Sequence, residues 1–329
     1  MSENKLELLR RHIRNNDGAM VRLLNERAAL AVEIGKEKNA QGRNVYDASQ
    51  ESQVFRSLAG MSDGPLTDAA LRDIFREIVS ACRALQADLS VAYLGPEASF
   101  SHMAALSQFG RQADLRPVSS IAGVFEEVER GGVPLGIVPI ENSIEGSVKL
   151  TLDRLIATPL RIQAEVFLRI RHCLLSIGPD LEAVRKVYSH PQAIAQCRGW
   201  LRTNLPAATV FEVESTAGAA RRVGTDPEAA AIGSMAAAST YHLKVMAEGI
   251  EDHPGNTTRF FVMGRGDAKP TGADKTSILF GTAHAPGSLY QALSAFAERG
   301  INLTRIESYP VKDRAWEYLF FTDFLGHME

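Results

Sequence analysis

Thr257, Thr258 and Arg259 follow a Pro254-Gly255-Asn256 turn and precede the apolar run Phe260 to Met263. Two hydroxyls, an amide and a guanidinium thus stand at the mouth of a short apolar strand. A polar cluster at the mouth of a buried strand is where an α/β protein usually keeps its chemistry. Taken alone, the same residues also fit a capped strand entrance with a surface arginine. A second set of chemically able residues lies near the N-terminus. Leu6, Ile13, Met20 and Ile34 share one seven-residue track, and Leu24 and Ala31 share another. Arg27 interrupts the first track, while Arg10 and Lys38 fall on the second. A cation on an apolar seam is costly unless paired, so three of them suggest an anionic ligand. Pairing with Glu26 or Glu37, or snorkelling, is the plainer alternative.

Helix geometry constrains that set. At ~1.5 Å per residue, Arg27 and Lys38 are roughly 16 Å apart along one helix and can bracket a small dianion. Arg10 lies about 25 Å from Arg27 on the same scale and reaches such a site only from an antiparallel second copy. The seam therefore predicts a dimer with shared sites. The stretch from Leu6 to Lys38 contains no proline and reads as a long amphipathic helix. A second helix is expected over Asp47 to Ala59, closed by Gly60, and a third over Leu66 to Gln86, started by Thr67 and Asp68.

From Ser90 onward, apolar strands alternate with helices, which argues for parallel sheets. Strands are expected at Ser90–Leu94, Leu135–Val138, Val184–Tyr188, Val210–Val213 and Ala229–Gly233. Each is followed by hydroxyl or amide residues at a helix start: Ser99, Asn142, Ser189, Ser215 with Thr216, and Ser234. Such ends offer free N–H groups and a positive dipole end, suited to carboxylates. Any one serine alone also fits a plain N-cap. There is neither P-loop spacing nor GxGxxG, so the series suggests a small carboxylate rather than a nucleotide. The region divides into two lobes, about 90–165 with 251–265 returning, and 166–250. This places Thr258 at the cleft between them.

The chain has 329 residues, 45% of them hydrophobic and 23% charged, with a net charge of −3. Those values fit a globular protein of two or three domains without a nucleic-acid or membrane-surface role. No signal-peptide core or membrane-length apolar stretch is present, and Cys82, Cys173 and Cys197 lack metal spacing. The expectation is a cytoplasmic protein with reduced thiols, needing no cofactor and no metal.

Three modules resemble known families, in one order. The helical segment 1–89, with Arg10, Arg27, Lys38, Asp47, Glu51 and Gln86, resembles the all-helical chorismate mutase, an intertwined dimer. The resemblance implies that Arg27 and the partner copy's equivalent of Arg10 bind the two carboxylates of chorismate. It further implies that Lys38 and Gln86 bond the ether oxygen, and that Asp47 and Glu51 hold the ring hydroxyl. Departures are Gln50, where the family often has Arg, and Cys82 in place of a Ser.

Residues 90–265 resemble prephenate dehydratase, a two-lobed α/β domain of periplasmic-binding-protein type. The motifs are Tyr93-Leu94-Gly95-Pro96, Pro139-Ile140-Glu141-Asn142-Ser143, Ser189-His190-Pro191-Gln192, Ser215-Thr216 and Thr258-Arg259-Phe260. The resemblance implies that Thr258 is the essential hydroxyl and that Asn142, Ser189 and Gln196 line its pocket. Arg259, Ser99, Ser215 and Thr216 become candidates for substrate contact, and Glu214 for tuning. His190 fits a general acid or a structural role beside Pro191.

After a linker over 266–273, residues 272–329 resemble a partial α+β ACT domain, a regulatory amino-acid-binding fold. Gly287-Ser288-Leu289-Tyr290 stands where the family has GALV, and Glu307-Ser308-Tyr309-Pro310 where it has ESRP. With Asn302, these imply an L-phenylalanine effector site at a dimer interface. Ser288, Tyr290 and Tyr309 are departures that predict weakened feedback, and the sequence reads as an ACT unit short of a helix and a strand. Together the modules resemble the bifunctional chorismate mutase/prephenate dehydratase family, converting chorismate to phenylpyruvate as a homodimer or higher even oligomer. Two alternatives stand beside it. One is a monofunctional dehydratase whose helical module serves dimerisation. The other is a two-lobed solute-binding protein, which leaves the Thr258-Arg259-Phe260 cluster unexplained.

Overall fold

A computed structural model describes residues 4–42, 45–61, 63–311 and 317–328. The chain begins with α1 (Lys5–Ala40), α2 (Ala48–Ala59) and α3 (Asp68–Ala84). The Asn4 side chain accepts from Leu6 N at 3.1 Å and opens α1; Thr67 accepts from Ala70 N at 3.2 Å and opens α3. Along α1, Leu6, Ile13, Met20, Leu24 and Ile34 are all exposed, so much of its apolar seam is uncovered within one chain.

Eighteen further elements form the α/β region. They run β1 (Ser90–Leu94), α4 (Phe100–Phe109), β2 (Asp114–Val118), α5 (Ile121–Glu129), β3 (Leu135–Asn142), β4 (Gly146–Ser147), α6 (Lys149–Ala157) and β5 (Arg161–Arg169). Next come β6 (Cys173–Ser176), β7 (Lys186–Ser189), α7 (Pro191–Gln196), α8 (Arg198–Asn204), β8 (Thr209–Glu212), α9 (Thr216–Val223), β9 (Ala229–Gly233), α10 (Met235–Thr240), β10 (Lys244–Glu248) and β11 (Thr257–Gly264). Two sheets result. The first has the order β2-β1-β3-β11-β5, with β4 paired to β3; the second has the order β10-β6-β9-β7-β8.

Neither sheet is purely parallel, contrary to the expectation from strand–helix alternation. In the first, β11 runs antiparallel to both β3 and β5; in the second, β6 and β10 run antiparallel. The reason is that the chain crosses between sheets twice, through β5 into β6 and through β10 into β11. The strands that carry the crossing cannot also follow the βαβ direction. The first sheet's core includes Val91, Tyr93, Ile137, Ile140, Phe260 and Val262, all almost fully buried. The second is filled on one face by Leu175 and Ala231 packed with α9 and α10, and on the other by Leu174, Val187 and Ile232 packed with α7 and α8.

The helices α1 and α3 belong to the same compact unit as these sheets, which comprises residues 1–47 and 58–267. On α3, Arg83 is buried and donates to the Phe109 carbonyl at the end of α4. Its guanidinium lies 5.8 Å from the Tyr46 ring centre and 5.9 Å from that of Phe109. Gln108 Nε2 donates to Tyr46 Oη at 3.0 Å, and Ser80 Oγ accepts from Gln112 N at 3.2 Å.

The second compact unit comprises residues 48–57 and 268–329. It holds an antiparallel sheet in the order β12-β14-β13, from β12 (Lys275–Gly281), β13 (Leu303–Pro310) and β14 (Tyr318–Leu325), with α11 (Ser288–Ala297). Phe280, Phe296, Phe320 and Phe324 stack between α11 and the sheet. Most of α2 lies here, tied to residues 270 and 271 by Ser49 Oγ donating to Pro270 O at 3.3 Å and Arg56 Nη2 to Thr271 O at 2.6 Å. Glu51 therefore belongs to this unit, while Lys38, Asp47 and Gln86 belong to the first.

Candidate active site

Thr258 is the second residue of β11, in register with Asn142, the last residue of β3. The two are neighbours in one sheet, not partners across a cleft as expected. Asn142 is anchored by its oxygen: Oδ1 accepts from Ile144 N at 3.0 Å and Glu145 N at 3.1 Å. That identifies the other amide atom as nitrogen and leaves it only donors to offer. Nδ2 donates to Thr258 Oγ1 at 2.8 Å and to Asn256 Oδ1 at 2.7 Å. Thr258 Oγ1 is thus an acceptor within the protein, and its own hydrogen has no partner among the described residues.

The polarity carries further. Asn256, buried at the end of the second crossing, uses its oxygen toward Asn142, so Nδ2 is the atom that donates to Gln196 Oε1 at 3.0 Å. Gln196 ends α7 and comes from the second sheet's side. Its Nε2 donates to no protein atom among the described residues. Ser143 Oγ, 3.4 Å from Asn256 Oδ1, accepts from Thr257 N at 3.0 Å and closes the near side. The result is a row of oriented amides across the two sheets, with free N–H or O–H donors at Thr258 and Gln196. Such preset donors suit an oxygen on which negative charge develops, and a dicarboxylate beside it.

Other predicted residues lie outside this row. Ser189 is fully buried and donates to Ile232 O at 2.8 Å, extending the β7–β9 pairing. Ser99 donates to Leu94 O at 3.1 Å and caps α4 by accepting from His102 N at 3.2 Å. Ser215 caps α9 through Gly218 N at 2.9 Å, Thr216 is the first residue of that helix, and Glu214 is exposed. His190 caps α7, its Nδ1 accepting from Gln192 N at 3.3 Å, and burial lowers its pKa. The imidazole serves here as the helix cap.

Arg259 faces away from Thr258. It is buried, with Nε and Nη2 each 2.7 Å from Glu165 Oε2 on β5, and Nη1 3.7 Å from Glu141 on β3. Phe261 lies 4.8 Å beneath its guanidinium. It ties together the three strands that set the Thr258–Asn142 register.

Two members of the row were not foreseen. Asn256 was visible only as a turn residue. His172, in the first crossing, is 2% exposed and places Nε2 3.0 Å from Gln196 Oε1. A lone histidine before a short apolar strand carries no sequence signal for this role.

The second candidate constellation lies on α1 and after α3. Lys38 Nζ donates to Val45 O at 2.7 Å. Gln86 packs on α1 at Gly35, where a Cβ would stand 2.8 Å from Gln86 Cβ. Its Oε1 is buried without a hydrogen-bond partner. Arg27 and Asp47 are half-buried and Arg10 is exposed. Neither Arg10 nor Arg27 forms an ion pair among the described residues, so Glu26 and Glu37 do not neutralise them. In the other unit, Gly287, at φ +83°, Ser288 and Leu289 start α11, Asn302 precedes β13, and Glu307 and Ser308 lie within it. Among the described residues, no cluster of metal-ligating side chains occurs, and no helix is long and apolar enough to cross a membrane.

Family models for chorismate mutase type II, prephenate dehydratase and the ACT domain match residues 9–87, 91–268 and 276–329. The chain is 46% identical over 329 residues to the bifunctional chorismate mutase/prephenate dehydratase of Aquifex aeolicus, covering 99% of this chain and 91% of the relative. It is 40% identical to the Pseudomonas aeruginosa protein of that name, with the same coverage. Among solved structures, it resembles the prephenate dehydratase of Arthrobacter aurescens in complex with L-Phe (36% identity, TM-score 0.68, 73% of this chain and 81% of that one). It also resembles the Staphylococcus aureus prephenate dehydratase (30% identity, TM-score 0.65, 73% and 91%).

Proposed function

Because the chain belongs to the bifunctional chorismate mutase/prephenate dehydratase family, we propose that two separate constellations of its side chains carry the two reactions. The chain rearranges chorismate to prephenate and converts prephenate to phenylpyruvate in phenylalanine biosynthesis. In the second step the ring hydroxyl leaves as water, taking a proton, while the ring carboxylate leaves as CO2 and its bonding electrons enter the ring. Aromaticity drives the step, and the difficulty is the poor leaving group.

Thr258, Asn142, Asn256 and Gln196 form the dehydratase site. One observation carries this reading: Asn142, pinned at its oxygen, donates to Thr258 Oγ1 and so leaves the threonine hydrogen for the departing hydroxyl. Threonine is too weak an acid to supply the proton, so Thr258 acts as an oriented donor. Gln196 Nε2 is the second donor and faces a substrate carboxylate. Ser189, Ser99 and Ser215 are structural in this scheme, as their hydroxyls are engaged with backbone. Arg259 holds strands rather than substrate. Thr258→Ala in the full chain is expected to fold normally and to lose phenylpyruvate formation by about 10²-fold or more while retaining mutase turnover. Near-normal dehydratase turnover in that variant sinks the assignment.

For the mutase step, Arg27, Lys38, Asp47 and Gln86 form the one-chain part of the site. A partner copy's equivalent of Arg10 completes it. The rearrangement needs a compact conformer and donors on the ether oxygen, and no nucleophile. The uncovered apolar residues of α1 support a homodimer built along that helix. The segment matched by the ACT model is the site for an L-phenylalanine effector, at Gly287, Ser288, Leu289, Asn302, Glu307 and Ser308. A coupled assay of chorismate, prephenate and phenylpyruvate, run with and without phenylalanine, tests the three assignments together.

A further inference from the structure

His172 sits where the chain crosses from β5 to β6, and its backbone is held on both sides. Its N–H donates to Glu251 Oε2 at 2.9 Å, and its carbonyl accepts from Ile250 N at 3.1 Å. The first residue of α4, Phe100, stands edge-on to the imidazole, 5.5 Å between ring centres at 85°. The ring is thereby fixed in position and orientation, with Nε2 3.0 Å from Gln196 Oε1 and Nδ1 buried without a partner.

Which ring nitrogen carries the hydrogen follows from the far end of the row. Asn142 is set by two backbone N–H groups, Asn256 by Asn142, and Gln196 by Asn256. The Gln196 atom facing His172 is therefore the oxygen, and Nε2 of His172 must be a donor. Nδ1 has no acceptor for a second hydrogen, and burial lowers the pKa of the ring, so the imidazole is neutral.

We propose that His172 is a positioning residue of the dehydratase reaction, which holds Gln196 Oε1 so that Gln196 Nε2 is presented to prephenate as a donor. The inference rests on the placement of Gln196 in that site. An amide held by one hydrogen bond flips readily, because its terminal torsion is broad and nearly two-fold. Flipping Gln196 would present a carbonyl oxygen to a dianionic substrate. With His172 and Asn256 both donating to Oε1, the flipped amide would set its NH2 against two N–H donors and lose both bonds. His172 thus converts a two-state side chain into a one-state donor.

The test uses the full chain with His172→Phe, His172→Asn and His172→Gln, alone and with Gln196→Ala. Dehydratase kcat and KM are measured, and mutase turnover and thermal unfolding of the same samples serve as controls for folding. His172→Phe is expected to lower dehydratase kcat/KM about tenfold or more and leave the mutase unchanged. His172→Gln restores activity to within about twofold, because its amide nitrogen reaches the position of the imidazole Nε2, whereas the shorter Asn does not. In the Gln196→Ala background, His172→Phe changes kcat/KM by less than about twofold, since no amide remains to orient. Normal turnover in His172→Phe overturns the inference. So do multiplicative losses for the two sites without rescue by Gln, which mark a merely structural residue. If Gln196→Ala itself turns over normally, the placement of Gln196 fails and the inference with it. A slow Gln196→Ala beside a normal His172→Phe sinks the inference alone.

Discussion

Asn142 Nδ2 lies 2.8 Å from Thr258 Oγ1, while Asn142 Oδ1 accepts from two successive backbone N–H groups. Neither atom of that amide is free to exchange roles. Asn142→Asp keeps the acceptor for Ile144 and Glu145 but removes both donated hydrogens. The expected result is a fold close to wild type, a dehydratase kcat reduced about 10²-fold, and an unaltered mutase rate, read in parallel assays on one preparation. A dehydratase rate within threefold or so of wild type would contradict the donor role.

Arg259 separates a strand tie from a substrate clamp. Its side chain is 8% exposed and is held by Glu165 and Glu141. Arg259→Met leaves those carboxylates without their cation and is expected to cost about 3 kcal/mol in urea unfolding. A raised KM for prephenate with unchanged stability would instead favour direct contact with substrate.

Gly35 lets Gln86 lie against α1, since a Cβ there would meet Gln86 Cβ at 2.8 Å. Gly35→Ala is expected to displace Gln86 and reduce mutase turnover about tenfold, with dehydratase turnover preserved. Equal rates in the variant and the parent would remove Gln86 from the mutase site.

The burial of His172 predicts a dependence of stability on pH. Its folded pKa lies below the ordinary 6.5, chiefly through desolvation, which outweighs the opposing effects of Gln196 and Glu251. Below about pH 6.5 the unfolded chain therefore binds a proton that the folded chain resists, and stability falls as the pH drops. His102 and His190 are shifted in the same direction. Unfolding free energy measured from pH 7.5 to 5 is expected to decline, and His172→Gln to reduce the slope. An unchanged slope would place the titration elsewhere.

Apolar runs made much of the fold legible. Val91 to Tyr93, Ala229 to Ile232 and Phe260 to Met263 are interior strands, buried on both faces, and they read plainly. Three edge strands did not, although the edge strand β8 did. Asp114–Val118 contains a proline and is mostly exposed, Arg161–Arg169 mixes charge with apolar residues, and Lys244–Glu248 has charged ends. Edges carry such residues because one side of the strand has no partner to protect. β6 was also not foreseen, although it is an interior strand.

The site was legible in part. Thr258, Asn142 and Gln196 were named through motif resemblance, and in the structure amides at 142 and 196 fill a continuous row of hydrogen bonds with Asn256. Strand-end serines are ambiguous, because a hydroxyl that caps a helix and one that meets a ligand look alike in sequence. What sets Ser99, Ser189 and Ser215 apart from Thr258 is that they bond backbone groups, whereas Thr258 accepts from a side-chain amide. His172 and Asn256 were unreadable because their importance comes from the meeting of two crossings, which no local pattern encodes.

The contact of Arg83 with Tyr46 and Phe109 bears on how such a protein can be dissected. A guanidinium buried beside a pair of rings is hidden only while both segments are present. Cutting the chain between α3 and β1 would strand a desolvated cation on one fragment and bare an aromatic ring on the other. The helical module and the two sheets share one compact unit, so separating them costs each side a packed face.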